Sequence, residues 1–274
     1  MKSKTSISFM IFEWAIRILV LLFSVAPVYA LLIMGLTPYA NSLEPQIFPR
    51  YFYLPNFWEA FKAIYSYLAN SFFYSILSVT LTLVVSIPAA YILARYEFKG
   101  KTAMLYGLLL TQMIAGIVIL PSLYFIYSKL GFLNSRISLV VTFTGLNLAL
   151  TTWLLIGFFA SLPRAVEEAA YIDGISSLKL IIRIIIPMSI PGIAVGAIFT
   201  FINSYNEFLI PLFMLTKPSL QPITMKFFSL LSDQPTYWHL VGSAAVLGLL
   251  PPVLIFLFFQ KYIISGITSG AVKN

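Results

Sequence analysis

Few residues in this chain could do chemistry, and their types narrow what that chemistry is. The 274 residues include no cysteine and a single histidine, His239. Disulfides, thiolate metal sites and thiol nucleophiles are therefore excluded, and no catalytic or metal-binding residue is predicted. Gly100-Lys101-Thr102 resembles the end of a phosphate loop, but the position five before Gly100, which that loop needs as glycine, is Arg95. No nucleotide is expected to bind this chain. What remains is electrostatic and hydrogen-bonding chemistry. Glu167, Glu168 and Asp173 cluster within the polar stretch from Ser161 to Gly192. Asn147 and the run Asn203, Ser204, Tyr205, Asn206 and Glu207 lie in or at the ends of apolar segments. The first group suits docking of a partner from the aqueous side. The second either lines a polar pathway or ends a helix at the membrane boundary, because unpaired polar groups are costly in hydrocarbon.

The elements that must carry these residues are membrane helices. The chain is 60% hydrophobic and 9% charged, where soluble domains carry roughly a quarter charged residues. Segments 11–36, 68–94, 103–128, 137–160, 187–206 and 240–260 are long and apolar enough to span a bilayer. The expected fold is an all-α integral membrane protein with six transmembrane helices in one domain over 1–274. A cytoplasmic loop at 161–186 and a cytoplasmic tail at 260–274 complete it.

The net charge of +8 is read as topology and not as nucleic-acid binding. Six crossings put Lys2, Lys4, Arg17, Arg95, Lys99, Lys101, Arg164, Lys179, Arg183, Lys261 and Lys273 on one side. Arg50, Lys62, Lys129, Arg136, Lys217 and Lys226 fall on the other. The excess in short loops predicts both termini in the cytoplasm of a multi-pass cell-membrane protein. The first apolar run continues to Leu36, too long for a cleaved signal, and is read as an uncleaved span. Glu13 and Arg17 stand four apart and can pair on one helical face. Gly192 and Gly196 form a small-xxx-small pair after Pro191, suited to close helix approach. Pro251 and Pro252 predict a kink in the last span.

Within the loop, Ser161 is placed to cap a helix over 163–173, with Pro163 in its first turn and Gly174 ending it. At 100° per residue, Ala165, Val166, Ala169, Ala170 and Ile172 form an apolar arc expected to face the protein. Arg164, Glu167, Glu168 and Tyr171 form a polar face expected to be free. Asp173 sits where the helix dipole disfavours an anion. It is expected to turn to the N-terminus of a second helix, 177–186, and fix the angle between the two.

The string Glu167 to Gly174, EEAAYIDG, followed by Pro187 and Pro191-Gly192, resembles the cytoplasmic EAA motif of permease subunits of type I ATP-binding-cassette importers. Glu168, Ala169, Ala170, Asp173, Gly174, Ile186 and Pro187 match the pattern. Ile175 and Ile181 depart from it. Asn70 to Leu83, Ala89 to Lys101, Thr111 to Ser135, Tyr205 to Leu215 and the ending Gln260 to Asn274 are similar to the carbohydrate-uptake branch, which serves maltose, trehalose or glycerol phosphates.

The resemblance implies the type I importer permease fold with a coupling-helix pair. Its implied partners are a second permease subunit, two ATP-binding subunits that carry ATP and Mg, an extracytoplasmic solute-binding protein, a sugar and membrane lipid, but no nucleic acid. It implies that helix 163–173 couples to an ATPase subunit through Glu167, Glu168, Ala169, Ala170, Asp173 and Gly174, with Glu167 or Glu168 pairing a basic residue. It also implies tail contacts from Ser269, Gly270, Ala271 and Val272. Asn147, Asn203, Tyr205, Asn206 and Glu207 are the candidate pathway residues. The chain is then a non-catalytic half of a pore working by alternating access. The rival reading, a stand-alone secondary sugar carrier, usually requires ionisable residues at mid-membrane. The interior spans here are nearly free of them.

Overall fold

The computed structural model describes residues 7–42, 44, 46–114, 116–233 and 235–271, with side chains for 10, 12–42, 44, 46–114, 116–233 and 235–262. Among the described residues the secondary structure is entirely helical. The helices are α1 Ile7–Leu36, α2 Pro55–Arg95, α3 Lys101–Met113, α4 Gly116–Lys129, α5 Arg136–Ser161 and α6 Arg164–Ile172. There follow α7 Ser177–Leu180, a π turn at Ile181–Ile185, α8 Ile186–Met188, α9 Ile190–Asn206, α10 Leu209–Met214, α11 Ile223–Ser232 and α12 Trp238–Ala271.

Four of these are long and apolar enough to cross a membrane: Phe12–Leu36, Pro55–Arg95, Arg136–Ser161 and Trp238–Tyr262. Two bent pairs raise the number to six if each is one span. They are α3 with α4, bent by 95°, and Ser177–Met188 with α9, bent by 81°. The first bend follows Ile114, which is extended at φ −84°, ψ 113° and ends α3. The second lies at Ser189, just before Pro191, whose ring removes a donor from the helical ladder. The third expected span is therefore broken near its middle, and the fifth begins at Ser177 and passes through a π turn upstream of the membrane segment predicted for it. Helix α12 continues through Pro251 and Pro252.

The chain forms two compact units. In the first, residues 1–65 and 226–250, close packing is made by small residues. A Cβ added at Gly242 would stand 2.7 Å from the Leu31 carbonyl oxygen. The Ser243 hydroxyl donates to the His239 carbonyl at 2.8 Å and to that of Gly35 at 3.2 Å. The buried Asn56 amide donates to the carbonyls of Gly35 and Thr37 at 2.9 and 2.8 Å. Among these acceptors, the Gly35 carbonyl is one of those at the C-terminus of α1 that the helix itself leaves open. Glu13 and Arg17 of α1 form the expected pair on an exposed face.

In the second unit, residues 66–225 and 251–274, α5 lies against α9. Thr151 and Thr200 share a hydrogen bond at 2.9 Å. A Cβ added at Gly192 would lie 2.3 Å from Cγ of Phe158, and one at Gly196 would lie 3.0 Å from Cγ2 of Thr151. The two glycines thus make the close approach that their spacing predicts. Polar groups on α2 and α5 find each other as well, with Thr152 donating to Ser86 at 3.0 Å.

Loop contacts in this unit gather alternate helix ends. Arg95, at the end of α2, donates to the Leu162 carbonyl at 2.9 Å. Asn134, left-handed at φ 55°, accepts on Oδ1 from the amides of Thr216 and Lys217 at 2.7 and 3.0 Å. Asn70 and Tyr74, near the middle of α2, donate to the carbonyls of Ser219 and Leu220 at 2.9 and 2.7 Å. The turns after α2 and α5 therefore meet, and so do the turn after α4 and the stretch after α10.

Candidate functional site: a braced amphipathic helix and a polar cavity

Helix α6 starts without a side-chain cap. The N-cap is Pro163, and the Ser161 hydroxyl instead bonds back to the Phe158 carbonyl at 2.7 Å, closing α5. The expected Ser161 cap is corrected: Pro163 fixes the extended backbone entering α6, and Ser161 belongs to the helix before. Nine residues are too few for a helix to be stable alone in water. Its stability has to come from packing.

That packing turns out a different face from the one expected. Val166, Glu167 and Ala170 point inward, whereas Ala165, Glu168, Ala169 and Ile172 point outward, Ile172 being 86% exposed. Of the expected apolar arc Val166 and Ala170 face inward, and of the expected free face Arg164, Glu168 and Tyr171 stay exposed; Glu167 is buried in place of Ala165, Ala169 and Ile172, so the helix is rotated about its axis. The cause is the buried carboxylate of Glu167. Its Oε1 lies 2.6 Å from Nε of Arg95, and its Oε2 accepts from the Tyr91 hydroxyl at 2.9 Å. A buried carboxylate needs such partners, and two from α2 outweigh the modest gain from burying one more isoleucine. Arg95 also holds Leu162, so one guanidinium ties the ends of α2 and α5 to α6. Ala170 then joins Ala90, Tyr91, Leu155, Phe159, Leu180 and Ile185 in a buried cluster.

The end of α6 is a Schellman motif. Gly174 is left-handed at φ 75°; its amide donates to Tyr171 at 3.1 Å and the Ile175 amide donates to Ala170 at 3.0 Å. Ile175 packs on the same buried cluster. This motif, and not Asp173, sets the angle to α7. Asp173 is the exposed C-cap, and Ser176 at the start of α7 receives no side-chain cap. Beside it, the mutual interaction of the Tyr96 and Tyr171 phenols pushes that of Tyr96 above its ordinary range and holds that of Tyr171 below it.

The second candidate group converges on a cavity of about 350 Å³ between α4, α5 and the end of α9. Asn147, Asn203, Asn206 and Glu207 line it, with Ser204, a member of the same polar run that was not among the candidate pathway residues. Asn147 is buried; its Nδ2 donates to the Phe143 carbonyl at 2.8 Å and its Oδ1 accepts from Asn203 Nδ2 at 3.1 Å. Glu207 both ends α9 and lines the cavity. Its Oε1 accepts from the amides of Leu209 and Ile210 at 3.0 and 3.2 Å, starting α10. Tyr205 is not part of this group: it is buried and stacked on Phe201 with centroids 5.6 Å apart.

Of the tail candidates, Ser269, Gly270 and Ala271 lie in the last turn of α12, but their side chains, and all of Val272, lie outside the described residues. Arg95 and Tyr91 were not singled out as partners of α6. The one signal was Arg95 itself, a charge at the very end of an apolar span.

Comparison with known proteins gives this geometry a context. Residues 86–269 match the family described as binding-protein-dependent transport system inner membrane component. The chain is 31% identical over 229 residues to the sulfoquinovosyl glycerol transport system permease protein SmoH of Agrobacterium fabrum, covering 83% of this chain and 80% of that one. It is 34% identical over 211 residues to the trehalose/maltose transport system permease protein MalG of Thermococcus litoralis, covering 76% of each. Its fold matches a chain from the crystal structure of a bacterial ABC transporter involved in the import of the acidic polysaccharide alginate. The TM-score is 0.79 at 20% identity, over 94% of this chain and 99% of that chain.

Proposed function

The chain belongs to the binding-protein-dependent transport inner membrane components, as a permease subunit of the carbohydrate-uptake ABC importers, and from that premise we propose that it forms half of an ATP-driven sugar pore. In this reading a second permease subunit completes the pore, and two ATPase subunits bind ATP and Mg beneath it. A solute-binding protein delivers the sugar from outside. The chain contributes no catalytic group. Its termini and α6 face the cytoplasm, as the distribution of Lys and Arg argues.

The observation that carries the reading is the two-sided character of α6. One side is fixed to α2 and α5 through Glu167, Arg95 and Tyr91. The other offers Ala165, Glu168, Ala169 and Ile172 to the water. A small apolar stripe with one carboxylate suits insertion into a cleft: the alanines allow close approach, Ile172 adds buried apolar area, and Glu168 sets register against a basic residue. Of the two glutamates, Glu168 is then the one that meets the ATPase subunit, while Glu167 transmits its displacement to α2. Asp173 and Gly174 shape the turn behind this face, and the tail residues Ser269, Gly270, Ala271 and Val272 are a further proposed contact. When the ATPase subunits close, α6 moves as a rigid lever and the spans change from one access state to the other.

The test is purification through a tag on this chain. An ATPase subunit should copurify, and uptake into proteoliposomes should require ATP. Vigorous sugar uptake by this chain alone without ATP would favour the secondary-carrier reading instead.

A further inference from the structure

The cavity lined by Asn147, Asn203, Ser204, Asn206 and Glu207 has hydrogen-bonding capacity that the fold leaves unused. Asn203 donates to Asn147, and its Oδ1 accepts nothing among the described residues. The Asn206 amide makes no hydrogen bond there in either sense, although it is exposed at the last position of α9. Asn147 is different: nine-tenths of it is buried, and it bonds to Phe143, Ser204 and Asn203, so it orients the amide beside it. The result is an amide pair offering donors and acceptors together, over a floor that includes Phe143 and Leu146. A hydroxyl is both donor and acceptor, so a ring of adjacent hydroxyls with apolar C–H faces complements such a surface.

The charge of the lining is as informative as its amides. It contains one carboxylate, Glu207, and no Lys, Arg or His among the described residues. The Leu209 and Ile210 amides hold that carboxylate in place at the rim. An anionic solute would meet a fixed negative charge with no cation to compensate it.

We propose that this subunit itself carries a solute-contacting site, formed by Asn147, Asn203, Asn206 and Glu207, that takes an uncharged polyhydroxy compound and rejects anionic sugars. This rests on the transport reading above and assigns the contact to this chain. Asn203 and Asn206 bind hydroxyls, Asn147 is a positioning residue for Asn203, and Glu207 sets the charge selectivity.

The absence of cysteine makes the test direct. In the importer assembled on the full chain, Asn206→Cys introduces the chain's one thiol, and its modification is followed on this chain by mass. A cationic methanethiosulfonate should react about tenfold faster than an anionic one, after correction for their rates with a free thiol. In the Glu207→Gln background, which keeps an acceptor for the Leu209 and Ile210 amides, that preference should disappear. Maltose, trehalose or diacetylchitobiose should slow the labelling, and glucuronate should not. A reagent ratio near one with Glu207 intact, protection by none of the three neutral sugars, or equal protection by glucuronate would each overturn the proposal. None of these would touch the transport reading, which fails separately if the same complex shows no ATP-dependent uptake of any sugar.

Discussion

At the scale of single residues, the buried contact between Glu167 and Arg95 ties α6, the proposed docking helix, to α2. Removing one partner leaves the other charge buried and uncompensated. Arg95→Ala or Glu167→Ala should therefore lower the unfolding free energy by about 3 kcal/mol. The double substitution should cost clearly less than the sum of the two, and thermal or denaturant unfolding of the purified chain in detergent reads both. Equal additivity would mean that the pair does not interact. Gly174 sits at φ 75° with open space around it, so Gly174→Ala meets no neighbour and only the left-handed backbone. A loss of about 1 kcal/mol is expected.

At the scale of elements, the sequence made the helices legible and left their orientation hidden. Six apolar segments fall where four long helices and two bent pairs stand, because hydrophobic length is a local property of the chain. The spacing of Gly192 and Gly196 also pointed to the α5 contact that they make. The face presented by α6 was not legible. A helical wheel puts Ile172 beside Ala165 and Ala169 in the apolar arc, and nothing in it shows that Arg95, 72 positions before Glu167, claims that carboxylate. The same limit applies to Asp173, whose expected role falls to the Gly174 backbone and Ile175. In the polar set, Tyr205 could not be told from Asn206 without knowing which way each turn of α9 faces.

Two predictions belong to this scale. Gly192→Val should force α9 off Phe158, costing about 1–3 kcal/mol by overpacking, seen as a lowered unfolding temperature. Ile172→Asp and Glu168→Lys alter only exposed positions of α6. Each should leave the fold intact, read by an unchanged unfolding temperature, while weakening capture of the ATPase subunit.

At the scale of the whole molecule, the chain is a membrane permease that has no expected means of using ATP, and α6 is the helix proposed to receive force from a protein that has. Family membership supplies the class of partner, and the geometry supplies the connection through Arg95 from α6 into α2 and α5. The most direct measurement of that connection is the ratio of sugar imported to ATP hydrolysed by the reconstituted importer carrying Arg95→Ala. That connection predicts that the variant still holds its ATPase subunits, through the outward face of α6, and still hydrolyses ATP, while uptake per ATP falls several-fold because α6 no longer moves α2. An importer that keeps its full uptake per ATP without Arg95 would contradict it.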